Sequence, residues 1–255
     1  MFSGRWGMIM ETDNMPVLPY RPKWSWLDAV AVLLVVLTLI PLAKIFRGFV
    51  KGIVTAIGIT GTSTPSVILL FGTAVQAGMM IAAVVFLARR KGADAKDLGF
   101  SREKAGVNIL TGIFSGFVLW FVVVMIGILL TIITGPPPSQ EVEKLLRGMK
   151  TLKDLWLPFI SVSILAPLSE ELYFRGMVFP VISAKLGTRP GMVLSALFFG
   201  SLHLDWYRLI PITVGGIGLA YLYDKTRSLL TPIIAHSVWN TMMLLMIYLA
   251  GRLTK

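Results

Sequence analysis

Three stretches of this chain, residues 52–88, 105–140 and 228–251, carry no charged side chain over more length than a helix needs to cross a bilayer. About 20 apolar residues make one crossing. The shorter charge-free runs 155–169, 190–204 and 209–223 reach that length when Arg189, Arg208 and similar long side chains extend back to the head groups. In hydrocarbon the backbone must satisfy its own hydrogen bonds, and long apolar runs without two-residue alternation select helices over a barrel. A hydrophobic content of 55% and a mean hydropathy of +0.77 exclude an ordinary soluble domain. The expected fold is therefore all-α, a polytopic transmembrane helical bundle. Seven spans are placed at about 25–46, 66–88, 108–134, 155–184, 190–204, 207–224 and 228–250. An eighth span, a re-entrant piece or an interfacial lead-in fits residues 52–64, which are apolar but rich in Gly, Thr and Ser.

Four regions follow. Residues 1–24 are expected as a cytoplasmic N-terminal segment, 25–134 as the N-terminal transmembrane helices, 135–154 as an amphipathic loop helix, and 155–250 as a second transmembrane core. In the loop, Ser139 follows Gly135-Pro136-Pro137-Pro138 as a helix N-cap, and Val142, Leu145, Leu146 and Met149 form an apolar face suited to the membrane surface. The chain has 24 Lys and Arg against 13 Asp and Glu, but they fall between apolar runs rather than on one soluble face. They read as topology signals and anionic-lipid contacts, not as a nucleic-acid interface. Arg89, Arg90, Lys91, Lys96, Arg102 and Lys104 mark the loop after the second span as cytoplasmic. The absence of cysteine excludes disulfides, thiolate metal sites and a Cys nucleophile. Residues 1–23 show no cleavable signal pattern, so the first span is expected as an uncleaved anchor in a multi-pass protein of the cell membrane.

An ionisable side chain inside a span costs about 2.5–3.5 kcal/mol on insertion scales, so each needs a partner or a task. Both histidines of the chain, His203 and His236, fall in hydrophobic segments, as do Glu170, Glu171, Arg175 and Asn240. Glu171 and Arg175 are four apart with the acid first, the favoured order for an ion pair, while Glu170 and Arg175 diverge around the helix. Glu170 is thus the freer carboxylate and the candidate general base. Pro167, one turn earlier, loosens the helix there. His236 and Asn240 are also four apart, so both project from one face and can donate to one oxygen, as an oxyanion site requires. Phe199, four residues before His203, can brace that imidazole by packing. Structural uses compete with these roles: a Glu-x-x-x-Arg pair occurs on ordinary helices, and His and Asn serve as struts between membrane helices. Asn108 and Gln76 are read as helix contacts, and Asp28 and Lys44 as side chains reaching to the interface.

Glu170-Glu171-Leu172-Tyr173-Phe174-Arg175, Phe199-Gly200-Ser201-Leu202-His203 and His236-Ser237-Val238-Trp239-Asn240 resemble, in order, the EExxxR, FxxxH and HxxxN or HxxxD motifs of the CPBP family, which includes CAAX prenyl proteases and bacteriocin-processing Abi proteins. The resemblance covers about residues 155–250, and upstream only Asp97-Leu98-Gly99-Phe100 looks like a family feature. It implies a glutamic intramembrane endopeptidase in which Glu170 and His203 activate water and His236 and Asn240 stabilise the oxyanion. Glu171 and Arg175 would support the site. The implied substrate is a membrane protein or peptide, lipidated or otherwise membrane-associated, and no cofactor is expected. Two alternatives stand beside it. One is a zinc protease with Glu170, His203 and His236 as ligands, although the HExxH spacing is absent. The other is a non-catalytic immunity or binding protein with the same fold.

Overall fold

The apolar runs become helices because nothing else hydrogen-bonds a backbone completely within one segment. The computed structural model describes residues 20–58 and 63–253, the side chains of residues 39–47 and 63 excepted. Among the described residues there are helices and no strand. In chain order these are α1 Trp26–Ala56, α2 Ser63–Arg90, α3 Ala105–Thr134, α4 Glu141–Gly148, α5 Leu152–Leu186, α6 Thr188–Ser201, α7 Leu209–Thr226 and α8 Leu230–Leu253. Long helix α5 opens as a 3₁₀ turn and is widened to π geometry twice, at Phe159–Leu165 and Phe174–Val178. Gly187, at φ +89°, ends α5 and lets α6 reverse direction after a single residue, in a backbone conformation that a side chain disfavours.

Four helices are long and apolar enough to cross a membrane: Thr64–Arg90 within α2, α3, α5 and α8. The expected spans at 190–204 and 207–224 do form helices, but α6 has 14 residues and α7 has 18. At 1.5 Å per residue these reach about 21 and 27 Å, against a hydrocarbon core of about 30 Å. In α1 the apolar stretch within the described side chains is Trp26–Thr38. Of the run at 52–64, the described residues continue α1 through Ala56 and open α2 at Ser63, while residues 59–62, like 1–19, lie outside the described residues.

Polarity runs opposite to that of a soluble bundle. Leu110, Phe114, Phe121, Ile132 and Ile133 of α3 face outward, while Asn108, Glu171, Arg175 and His236 are buried. Where apolar surface gains little by leaving lipid, helices associate through close packing and polar contacts. On α3, Gly112 and Gly116 are a small-xxx-small pair pressed against α8: a Cβ on Gly116 would stand 2.7 Å from the Ala235 carbonyl oxygen, and one on Gly112 2.9 Å from that of Thr231.

Two clusters of contacts define the ends of the bundle. At one, Tyr20 donates to Asp224 (3.1 Å), Lys23 pairs with Asp97 (2.8 Å) and Lys91 pairs with Asp28 (3.5 Å). Asp28 also closes a capping box with Ser25, so its task is to start α1 rather than to reach the interface. At the other, α4 lays Leu146 and Met149 on Leu244 and Tyr248 of α8. The protein, not the bilayer surface, therefore covers the buried part of its apolar face. Gln140, not Ser139, is the N-cap of α4, and it makes no side-chain cap bond because its carboxamide donates to Asp205 at 2.8 Å. Arg208 binds Asp205 at 2.6 Å, Glu143 at 3.3 Å and the Pro138 carbonyl at 3.3 Å. Burial opposes ionisation of Asp205, but the Arg208 side chain and backbone and Gln140 outweigh it and hold the carboxyl below its ordinary range. This lattice anchors the 202–208 loop that carries His203. Of the polar residues expected at helix contacts, Asn108 is buried and donates to the Glu103 carbonyl (3.2 Å), whereas Gln76 faces outward from α2.

The glycine pair generates a prediction. Gly116→Leu forces α3 and α8 apart and lowers stability by about 1–3 kcal/mol. Gly106→Leu, where nothing lies within 4 Å, leaves it unchanged. Thermal unfolding of the two purified variants measures the difference.

Candidate active site

The site grows from one buried carboxylate. Glu171 is 0% exposed and Arg175 is 1% exposed, one turn further along α5. Their ion pair, expected from the four-residue spacing, is present at 2.9 Å. Arg175 also donates to the Gly216 carbonyl of α7 at 2.8 Å and lies over the Phe199 ring at 4.9 Å. Neighbouring Gly215 and Gly216 make this possible, since a Cβ on Gly215 would collide with Trp239 and one on Gly216 would press on Ala196 and Phe199.

The same Glu171 oxygen receives a second partner that helix geometry does not disclose. His236 of α8 meets it through Nδ1 at 2.8 Å. Beside the Arg175 cation Glu171 acts as an acceptor, so Nδ1 carries the proton, and this bond fixes which way the ring turns. The opposite nitrogen, Nε2, is turned toward Glu170, whose nearer oxygen lies 3.9 Å away, beyond hydrogen-bonding distance. The Glu170 side chain is 23% exposed. The two adjacent glutamates thus have opposite environments, one sealed and engaged twice through Oε1, the other reachable.

His203 stands in the turn just beyond α6 and is exposed. Its Nδ1–H donates to the Phe199 carbonyl at 2.9 Å, because a carbonyl can only accept. In the neutral ring this leaves Nε2 as a free base. Phe199 braces His203 edge-on at 4.8 Å between ring centres, and it also meets His236 at 5.8 Å. One aromatic ring therefore packs against both histidines and Arg175.

Asn240, expected beside His236 as an oxyanion donor, has one amide hydrogen already engaged: Nδ2 donates to the Val162 carbonyl of α5 at 2.8 Å. The second hydrogen and Oδ1 remain. Together the contacts join Glu170, Glu171, Arg175, His236 and Phe199 into one cluster, attach His203 through Phe199, and attach Asn240 through its own helix. Gly216, the glycine pair it belongs to and Val162 escaped sequence reasoning. Only Gly215-Gly216 within α7 and Pro167 within α5 hinted at them. Among the described residues no three His, Cys, Asp or Glu side chains stand together in a group able to hold a metal ion.

These features define a membrane-embedded helical protein with an ionisable site inside the bundle. Residues 152–242, which hold all three motifs, match the family described as type II CAAX prenyl endopeptidase Rce1-like, the resemblance that the motifs implied. The chain is similar to the putative membrane peptidase YdiL of Bacillus subtilis (strain 168), 28% identical over 145 residues that cover 57% of this chain and 59% of that protein. It is similar to CAAX prenyl protease 2 of Homo sapiens, 30% identical over 99 residues, 31% of this chain and 30% of that protein. A third relative is the UPF0177 protein YaiF of Lactococcus lactis subsp. lactis (strain IL1403), 29% identical over 111 residues, 41% of this chain and 48% of that protein. No solved structure matches. The chain thus spans between 30% and 59% of the length of these relatives.

The unequal glutamates generate the second prediction. Glu171→Gln leaves Arg175 as an uncompensated buried charge and costs about 3–5 kcal/mol of stability. Glu170→Gln, at a partly exposed carboxylate with no ionic partner within hydrogen-bonding distance, costs less than about 1 kcal/mol. Unfolding midpoints of the two variants, measured side by side, check the ordering.

Proposed function

We propose that the chain is an intramembrane endopeptidase, a glutamic protease that hydrolyses a peptide bond of a membrane-associated or lipidated protein or peptide with water activated by Glu170 and His203. The observation that carries this reading is the division of labour between the two carboxylates. Glu171 is engaged by Arg175 and His236, and Glu170 is left partly exposed, with His236 Nε2 3.9 Å away, beyond hydrogen-bonding distance. A base must have a free lone pair and access to its substrate, and Glu170 has both.

In the proposed reaction Glu170 takes one proton of water as its oxygen attacks the carbonyl carbon of the scissile bond. His203, its tautomer set by Phe199, orients the same water through Nε2 and shares in proton transfer. The carbonyl becomes a tetrahedral oxyanion, which receives hydrogen bonds from Nε2–H of His236 and from the second amide hydrogen of Asn240. Since Nδ1–H of His236 is held by Glu171, donation from Nε2 uses the doubly protonated ring, whose charge then sits between Glu171 and Glu170. Collapse breaks the C–N bond, and the proton taken by the base passes to the leaving amine. The lipid-facing surface of α3 and the apolar helices around the site suit a substrate that arrives within the cell membrane, with α1, α6 and α7 completing a seven-span bundle around the four bilayer-length helices.

Reconstituted protein is expected to cleave one or more peptides of the membrane fraction, with Glu170→Ala and His203→Ala each reducing the rate at least about 100-fold while unfolding normally. Activity is expected to survive thorough chelation. Wild-type rates in Glu170→Ala would overturn the proposal. Loss of activity on chelation, restored by zinc alone, would favour metal-activated water instead, and binding of peptide without cleavage would favour a non-catalytic role.

A further inference from the structure

Regular α-helix gives every carbonyl a donor four residues on, and a π turn moves that donor to five. At the first π segment of α5 the shift is visible: the N–H of Ala166 reaches the Ser161 carbonyl. In the same register the next carbonyl, that of Val162, would take its hydrogen from residue 167. Residue 167 is proline, which has no N–H. Proline and π turn together leave the Val162 carbonyl without a backbone donor, inside a membrane helix, where such a loss costs most. The group that fills the gap comes from another helix: Nδ2 of Asn240, at 2.8 Å.

We infer that Asn240 is a positioning residue, acting through Val162: its amide hydrogen replaces the one Pro167 lacks and staples α8 to α5 about two turns before Glu170. Asn240 and His236 lie on the same face of α8, and Glu170 lies three residues beyond Pro167, so the staple sets the depth at which the His236 ring meets the Glu170–Glu171 turn. It also aims the remaining amide hydrogen of Asn240, because a carboxamide held at one hydrogen is fixed in the plane of the other. This inference rests on the proposed hydrolysis only for its kinetic readout. The staple itself is a statement about three residues of the chain.

The proline supplies the test. In Asn240→Ala the Val162 carbonyl loses its donor. In Asn240→Ala with Pro167→Ala the backbone N–H of residue 167 returns one. With the full chain reconstituted in lipid and a peptide that the wild type cleaves, Asn240→Ala is expected to lower kcat roughly 100-fold with KM changed less than about twofold. The double variant is expected to recover at least about tenfold of that loss. Its unfolding midpoint, lowered by about 3 °C in Asn240→Ala, is expected to return. A double variant no faster than Asn240→Ala would overturn the positioning role, even if stability returned, since Asn240 would then serve the reaction only as a donor to substrate. An unfolding midpoint unmoved in Asn240→Ala would overturn the staple. Asn240→Asp guards against effects of removing the proline: its carboxylate faces a carbonyl oxygen at neutral pH and repels it, whereas its acid form donates. The expected rate of this variant therefore rises as pH falls while the wild-type rate does not, and parallel profiles would count against the proposal. If Glu170→Ala cleaves normally, the protease reading fails, and the recovery of the unfolding midpoint still decides the staple.

Discussion

Everything at the centre of the bundle turns on one carboxylate oxygen. Glu171 Oε1 holds the Arg175 guanidinium at 2.9 Å and the His236 imidazole at 2.8 Å, with no exposure to solvent or lipid. A buried ion pair rarely stabilises a fold beyond what apolar residues would do there, but once present it cannot lose a partner cheaply. Its value here is orientation. Through Arg175 it reaches the backbone of α7, through His236 it fixes α8, and both are aligned relative to the helix that carries Glu170. A functional imidazole needs a defined tautomer and direction, and a buried, ionised neighbouring acid supplies both.

The surrounding helices are shaped to let that cluster close. Small residues allow the approach: Gly112 and Gly116 bring α3 against the backbone of α8, and Gly215 and Gly216 admit Trp239 and Arg175 to α7. The two π segments bracket the turn that bears both glutamates. Each offers a carbonyl to a side chain from outside α5, Val162 to Asn240 and Met177 to the indole N–H of Trp24 at 3.0 Å. Wide turns of this kind recur where a helix must present side chains at an unusual angle. At the end of the bundle nearer His203, α4 and the Asp205–Arg208 contacts hold the loop in which that histidine stands.

What was legible in the sequence was what local geometry determines. Charge-free length disclosed α2, α3 and α8, the shorter run 155–169 pointed to α5, and four-residue spacing disclosed the Glu171–Arg175 pair and the freer Glu170. The end of a short helix was not legible, because hydropathy reports polarity and not where a helix stops: α6 ends at Ser201 and leaves His203 in the turn beyond it. Asp28 was misread because a capping box and an interfacial side chain look alike at a helix end. Ser139 was misread because a proline run precedes it, whereas Gln140 is held by Asp205, 65 residues away. The bond from His236 to Glu171 spans the same 65 residues and has no local signature. Asn240 was legible as a polar group on the His236 face, but its bond to Val162 follows only when Pro167 and the π register are considered together.

The chain has two histidines, so nitrogen NMR of histidine-labelled protein in lipid yields two sets of ring signals, assignable with His203→Ala. If Glu171 orients His236, the wild type shows a protonated, strongly hydrogen-bonded Nδ1 for His236. Glu171→Gln shifts that signal, while Glu170→Gln leaves it in place. A His236 Nδ1 signal indifferent to Glu171 and moved by Glu170 would contradict the division of roles on which the account depends.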